Sequence, residues 1–91
     1  MSYKLAFLPQ ARRDFDEWKS VDPGTIKKIQ SILRDISKHP FHGIAKPEPL
    51  KGNLSGKWSR RINRRDRIIY SVDGDIVLVY IFSMKGHYRF R

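Results

Sequence analysis

The chain has 91 residues, 40% hydrophobic and 12% aromatic, which is enough for one compact apolar core and too few for two. Its 19 lysines and arginines outnumber its 9 aspartates and glutamates, and the resulting net charge of +10 predicts a polyanionic partner. Cysteine is absent, which excludes disulfides, thiolate zinc sites and thiol nucleophiles. We recognise neither a secretory signal nor a membrane span, so we expect a single cytoplasmic domain over residues 1–91.

The first half of the chain is predicted to hold one strand and two helices. Lys4–Leu8 is a short apolar run that ends at a proline, and Gln10–Lys19 carries apolar side chains at helical spacing. Asp22 and Pro23 predict the start of a second helix, because Asp can cap free N–H groups and Pro at the first helical position has none. His39-Pro40 is predicted to close it.

The second half is predicted to be a loop followed by strands. Prolines and glycines are dense between Phe41 and Gly56, which favours an ordered loop. The predicted strands are Trp58–Asn63, Arg67–Val72 and, after an Asp73-Gly74 turn, Ile76–Phe82, with Gly86–Phe90 as a last strand or tail. These elements predict an α+β domain in which two helices pack on one face of a mostly antiparallel, twisted sheet.

A cluster of cations lies between positions 57 and 67, where Asp66 is the single acidic residue. Most of its members are arginines, whose forked guanidinium group matches the geometry of phosphate oxygens. The cluster comprises Lys57, Arg60, Arg61, Arg64, Arg65 and Arg67. It predicts a nucleic-acid-binding surface, and the alternative is a solvated basic strand edge.

Strand periodicity sharpens this prediction. If an odd number of residues joins the two strands, for example Arg64-Arg65-Asp66, then Arg61 and Arg67 share one face of the sheet. An even number places them on opposite faces; we predict the odd turn or a bulge. The other face then holds Trp58, Ile62, Ile68 and Tyr70 as core residues. Arg60 falls among them and is expected to extend its side chain to the edge.

Cleavage of RNA by its own 2′-hydroxyl requires a base, an acid and cations around the phosphorus. Glu48 is a candidate base because Pro49 holds it extended, although an ion pair with Lys46 or Lys51 is the alternative explanation. His87 is a candidate acid, since histidine exchanges protons near neutral pH. Of the other two histidines, His39 is explained by a helix C-terminus and His42 stays open. The histidines lack metal-ligand spacing, so we expect no metal and no cofactor.

Several segments carry a specific pattern, within a resemblance that covers nearly the whole chain, from the helix that bears Trp18 to His87-Tyr88. They are Pro40-Phe41-His42-Gly43, Lys46-Pro47-Glu48-Pro49-Leu50-Lys51, Asn53-Leu54-Ser55-Gly56, Trp58-Ser59-Arg60-Arg61-Ile62, Asp66-Arg67-Ile68-Ile69-Tyr70 and His87-Tyr88. Together these segments resemble the Txe/YoeB toxins of the RelE-like superfamily. The resemblance implies a RelE-like fold and the toxin of a bacterial type II toxin–antitoxin pair.

The resemblance also implies an activity and its residues. The expected toxin is a ribosome-dependent, metal-independent endoribonuclease that cuts mRNA in the A site by 2′-hydroxyl attack and so stops translation. By position, Glu48 matches the general base, Arg67 the arginine that stabilises the transition state, and His87 the general acid. Auxiliary residues that bind the phosphate or orient the substrate are matched by Lys51, Arg61 and Tyr88. Lys57, Arg60, Arg64, Arg65 and Arg89 are expected to contact ribosome or RNA.

The implied partners are the 70S ribosome with its mRNA and an antitoxin of the YefM/Axe or Phd/YefM type. An acidic, initially disordered antitoxin segment would suit a domain of this charge. Operator DNA is expected to be bound only through the antitoxin complex, and no membrane is expected. Two segments depart from the family pattern: a tail, Arg89-Phe90-Arg91, follows the His-Tyr pair, and Asn63-Arg64-Arg65 is unusually basic. The alternatives left open are a non-catalytic RNA- or ribosome-binding module and a gyrase inhibitor on the same fold.

Overall fold

Residues 2–82, which the computed structural model describes, form two helices and a five-stranded sheet. The elements are β1 (Lys4–Phe7), α1 (Pro9–Val21), α2 (Pro23–Lys38), β2 (Glu48–Pro49), β3 (Trp58–Arg61), β4 (Arg67–Asp73) and β5 (Ile76–Phe82). A single 3₁₀ turn, Gly52–Leu54, separates β2 from β3. The predicted last strand, Gly86–Phe90, lies outside the described residues.

Both helices begin at a proline. Proline is favoured there because the N–H that it lacks would have no partner in the first turn of a helix. Helix α1 is longer than predicted, because it includes Pro9 and continues to Val21. The predicted capping role of Asp22 is wrong in its chemistry. Its carboxylate accepts a hydrogen bond from the Thr25 hydroxyl at 2.8 Å rather than from a backbone N–H of α2. Neither helix within residues 2–82 has the length and hydropathy needed to cross a bilayer.

The sheet is mixed, with the strand order β1-β5-β4-β3-β2. β1 runs parallel to β5, and every other neighbouring pair is antiparallel, as predicted. β4 and β5 form the predicted hairpin, where Gly74 adopts a φ of 63° that a side-chain-bearing residue rarely takes. β3 is shorter than predicted, since it ends at Arg61 rather than at Asn63.

The pairing of β3 with β4 confirms the predicted face assignment. Arg61 lies directly opposite Arg67, so five residues, 62–66, form the turn, an odd number that is larger than the three of the example. Directly opposed residues of an antiparallel pair project from the same face of the sheet. Trp58 lies opposite Tyr70 on the other face, with Ile68.

Helices α1 and α2 cover the face that carries Ile68 and Tyr70. Burying each large aliphatic or aromatic side chain there contributes roughly 1.5–3 kcal/mol. The buried cluster comprises Ala11, Trp18, Ile29, Ile32, Leu33, Ile36, Ile62, Ile68, Tyr70, Val77, Val79 and Phe82. Arg61 and Arg67 therefore lie on the helix-free face, the face opposite these helices.

The outermost strand, β2, lies inside the segment that the sequence predicted as a loop. Its Glu48 pairs with Ser59, and the N–H of Leu50 donates to the Lys57 carbonyl at 2.9 Å. A strand of two residues beside two prolines has too little pattern to be recognised from sequence. This strand brings Glu48 to the edge of the sheet beside β3.

Candidate active site

The strand register places Glu48 and two arginines on the helix-free face. Glu48 lies opposite Ser59, which in turn lies opposite Ile69, so these three residues form one row across the sheet. Arg61 is two residues beyond Ser59 on the same face, and Arg67 lies opposite Arg61. Directly opposed Cβ atoms are about 5 Å apart and diagonal neighbours about 7–8 Å apart. By this spacing Glu48 is a diagonal neighbour of Arg61, and Arg61 is a direct neighbour of Arg67.

A surface depression of about 310 Å³ marks this corner of the sheet. It is lined by Lys46, Pro47, Glu48 and Arg61. Two cations beside one carboxylate can hold an anionic phosphate and leave the carboxylate next to it. Glu48 is exposed, which leaves its oxygens accessible to a ligand.

Arg67 is fixed by the β3–β4 turn, residues 62–66. Its Nη1 donates to the carbonyls of Asn63 at 2.9 Å and Asp66 at 3.1 Å. The Asn63 side-chain oxygen accepts the N–H groups of Arg65 and Asp66, both at 2.8 Å. Such an Asx turn orders the backbone locally. The turn therefore holds Arg67 and presents Arg64 and Arg65, which are exposed, at its tip.

Two further predicted cations lie near this surface. Lys51 is exposed and precedes the 3₁₀ turn, where its carbonyl accepts the Leu54 N–H at 3.2 Å. The Lys57 ammonium lies 4.7 Å from the centre of the Tyr80 ring, a cation–π contact. By strand alternation Lys57 projects to the helix-free face, since Trp58 projects to the other.

Arg60 contradicts its predicted role. Its side chain is 0% exposed, so the expectation that it contacts ribosome or RNA is wrong. Its guanidinium donates to Asp35 at 2.7 Å and to the Tyr70 hydroxyl at 3.0 Å. Three backbone carbonyls accept its other hydrogen bonds, those of His39 at 2.6 Å, His42 at 3.0 Å and Ile44 at 2.9 Å. Strand alternation correctly predicted the buried face for Arg60, but the expectation that its side chain extends to the sheet edge is wrong, because the side chain is fully buried. Its acceptors were not recognisable from sequence.

The charges in this buried network are well defined. Burial by itself raises the pKa of Asp35, but hydrogen bonds from Arg60 and the Ile44 N–H, together with the Arg60 charge, lower it below its ordinary value. Burial keeps the pKa of Tyr70 above its ordinary value, although the hydrogen bond and charge of Arg60 oppose the shift. At neutral pH, Arg60 and Asp35 therefore form an ion pair, and the Tyr70 hydroxyl keeps the proton that it donates to the Pro40 carbonyl at 2.6 Å.

The predicted acid, His87, lies outside the described residues, as do Tyr88 and Arg89. The last described strand is anchored, because the Phe82 N–H donates to the Asp14 carboxylate at 3.0 Å. His39 ends α2, as predicted, and its ring lies 4.8 Å from that of His42. Over residues 2–82, no group of three histidine, aspartate or glutamate side chains is arranged to hold a metal ion.

Comparison with known proteins identifies the family. The sequence model of one protein family, described as YoeB-like toxin of bacterial type II toxin-antitoxin system, matches residues 7–88. The chain belongs to the YoeB-like toxins. Toxin YoeB of Escherichia coli O6:H1 is 43% identical over 85 residues, 93% of this chain and 99% of that protein. Toxin RelK of Mycobacterium tuberculosis is 40% identical over 84 residues, 92% of this chain and 94% of that one. The resemblance seen in the sequence is confirmed.

Solved structures of YoeB-like toxins confirm the fold. The YoeB/ParE toxin from Agrobacterium tumefaciens has a TM-score of 0.83 at 33% identity, covering 90% of this chain and 98% of that one. YoeB in the heterotetrameric YoeB-YefM complex from Staphylococcus aureus has a TM-score of 0.82 at 35% identity, covering 93% of this chain and 99% of that one. The chain is thus the toxin component of a toxin–antitoxin system, built on the RelE-type fold.

Proposed function

We propose that this YoeB-like toxin is an endoribonuclease that cuts mRNA in the ribosomal A site without a metal ion. The observation that carries the proposal is the register of β2, β3 and β4, which puts Glu48, Arg61 and Arg67 on one face of the sheet. A carboxylate beside two guanidinium groups is what phosphoryl transfer to a 2′-hydroxyl needs.

In the proposed reaction, Glu48 accepts the proton of the 2′-hydroxyl as that oxygen attacks the adjacent phosphorus. The bond from phosphorus to the 5′-oxygen breaks, and His87 donates a proton to that leaving oxygen. The products are a 2′,3′-cyclic phosphate and a free 5′-hydroxyl. Arg67 and Arg61 stabilise the negative charge that builds on the phosphate oxygens. Lys51 and Tyr88 bind the phosphate or orient the substrate.

Affinity for the ribosome is proposed to come from cations other than the catalytic set. Arg64 and Arg65 at the turn tip, Lys57 and the tail residue Arg89 supply positive charge for contacts with RNA phosphates. Arg60 is removed from this set because it is buried. The proposed site of action is the bacterial cytoplasm, where ribosomes translate.

The same surface is proposed to bind an acidic antitoxin. The S. aureus relative forms a heterotetrameric complex with YefM, and a net charge of +10 favours an acidic segment on this chain as well. Such a segment would neutralise the cations that RNA needs. Any contact with operator DNA is proposed to run through that complex.

The test is expression without antitoxin, with cleavage sites mapped on mRNA and growth followed. Glu48→Gln, Arg67→Ala and His87→Ala should each lose most of the cleavage, by roughly 10²-fold or more for a lost acid or base. Glu17→Gln on α1 and Arg34→Ala on α2 are matched controls, since both are exposed and distant in sequence from the site. They should cleave like the unaltered toxin.

Two other outcomes separate the competing functions. A non-catalytic ribosome-binding module would arrest growth in all three site variants, with no new mRNA ends. A gyrase inhibitor would leave mRNA intact and change DNA supercoiling. Either result would remove the nuclease assignment.

A further inference from the structure

We propose that Arg60 is a positioning residue: it fixes the segment 39–44 against the sheet and thereby sets the place of Glu48. The inference rests on the proposed nuclease function, because it gives Arg60 an effect on the rate at which Glu48 acts. Arg60 itself touches no substrate, since none of its side chain is exposed.

The network around Arg60 holds five backbone groups of the segment 39–44. Arg60 binds three carbonyls of the segment, those of His39, His42 and Ile44. The Tyr70 hydroxyl binds a fourth, that of Pro40. Asp35 completes the network, because its carboxylate accepts both Arg60 Nη1 and the Ile44 N–H at 3.1 Å. One buried side chain and its two partners thus bind the backbone of a segment that contains neither helix nor strand.

The segment 39–44 packs tightly against Asp35. Gly43 has a φ of 127°, which residues with a side chain rarely adopt. A Cβ added at Gly43 would overlap the Asp35 carboxylate. The segment can therefore reach its acceptors and donors only in a narrow range of conformations.

A strained turn at Ala45 and Lys46 connects the segment 39–44 to Glu48. Ala45 and Lys46 have φ values of 63° and 54°, unfavourable for residues with a Cβ, and Lys46 also precedes a proline. The Ala45 carbonyl accepts the Arg61 N–H at 2.7 Å. A chain held at Ile44 by Arg60 and at Ala45 by Arg61 keeps this strained turn. Glu48 follows two residues after the turn, so its position depends on the hold at Ile44.

Variants that weaken the network while keeping its charge or ring provide the test. Arg60→Lys keeps the positive charge but cannot bind five acceptors, and Tyr70→Phe removes one hydroxyl and nothing else. Val77→Ala is the control, because it removes buried volume from β5 within the core without touching the network. Toxin is mixed in excess with ribosomes carrying mRNA, below the unfolding temperature of every variant. The single-turnover cleavage rate and the concentration for half-maximal rate are both measured.

We expect Arg60→Lys to lower the saturated rate about 10- to 100-fold and Tyr70→Phe about threefold to tenfold, as displaced catalytic groups do. The half-maximal concentration should not move, because Arg60 makes no ribosome contact. Val77→Ala should be less stable but cleave at the unaltered rate. If the folded fractions of Arg60→Lys and Tyr70→Phe both cleave at the unaltered rate, Arg60 is structural and the proposal is overturned. Should Arg60→Lys fail to fold, Tyr70→Phe alone decides.

A double variant shows whether Arg60 acts through Glu48. In a Glu48→Gln background, Arg60→Lys should cost less than twofold, since the group that it positions has already lost its function. A full loss in that background would overturn the positioning role and leave the nuclease assignment intact. If Glu48→Gln alone cleaves normally, the proposed function itself fails.

Discussion

Two adjacent arginines of β3 belong to opposite regions of this toxin. Arg60 faces the helices, has no exposed surface and binds five acceptors, whereas Arg61 is exposed on the helix-free face beside Glu48. The residues have the same chemistry and differ by one position along a strand, which reverses the direction of the side chain. A count of positive charges therefore overstates the proposed RNA-binding surface, and the strand register decides which charges can belong to it.

The largest expected effect contrasts Arg60→Met with Arg61→Met. Loss of Arg60 removes the counter-ion of Asp35 and a hydrogen-bond donor from all five acceptors, and breaking a buried ion pair of this kind costs about 3–5 kcal/mol of unfolding free energy. Loss of Arg61 should change stability by less than about 0.5 kcal/mol, as exposed substitutions do, and should lower cleavage instead. Urea unfolding and mRNA cleavage of both variants check the contrast. Equal losses of stability would refute it.

A second contrast compares two glycines with positive φ. Gly43→Ala should destabilise the fold by about 3 kcal/mol, because backbone strain adds to overlap with Asp35. Gly56→Ala should cost about 1 kcal/mol, since it has a φ of 94° but open space around the site of a Cβ. Thermal unfolding of the two variants measures the difference. A Gly43→Ala variant as stable as Gly56→Ala would show that the segment 39–44 is loosely held.

Acid pH should change stability through the buried ion pair of Asp35 and Arg60, by less than the substitutions above. Because the folded-state pKa of Asp35 lies below its ordinary value of 3.8, its contribution to stability is present above that value and is lost as pH falls through the lowered pKa. Asp35→Asn should therefore be less stable than the unaltered protein at neutral pH, and the gap should narrow in acid. Unfolding curves across this range test the sign.

The smallest expected effect concerns the exposed cations of the turn. Arg64→Ser and Arg65→Ser should leave the unfolding free energy within about 0.5 kcal/mol of the unaltered value. Each should weaken ribosome binding a few-fold. Each should also reduce the slope of log affinity against log salt concentration by about one, the contribution of one phosphate contact. Binding measured at several salt concentrations gives both quantities. Unchanged salt dependence in both variants would exclude the turn from the proposed RNA-binding surface.

Much of the fold was predictable from local pattern. Pro23 starts a helix where proline is favoured, and the periodicity of β3 and β4 correctly placed Arg61 and Arg67 on one face of the sheet. Each of these signals is contained in a few consecutive residues, which is why the sequence reveals it.

The site was less predictable because it depends on contacts between distant residues. Asp35 and Arg60 are 25 positions apart, and three of the arginine's acceptors are carbonyls, which every residue has. Two residues other than glycine, Ala45 and Lys46, have positive φ values, which their residue types do not predict. Glu48 lies at the sheet edge through its pairing with Ser59 in β2, a strand of two residues that is too short for periodicity to reveal.

The outer edge of β2 has a property that follows from its two prolines. The Leu50 N–H points inward to β3, so by strand alternation the backbone of Glu48 also points inward and that of positions 47 and 49 points outward. Both outward positions are proline and lack an N–H. A foreign strand arriving here would find carbonyls but no donors, so the sheet cannot grow past Glu48 by cross-chain ladder formation. Edge-to-edge aggregation is blocked on the side where the toxin exposes its carboxylate.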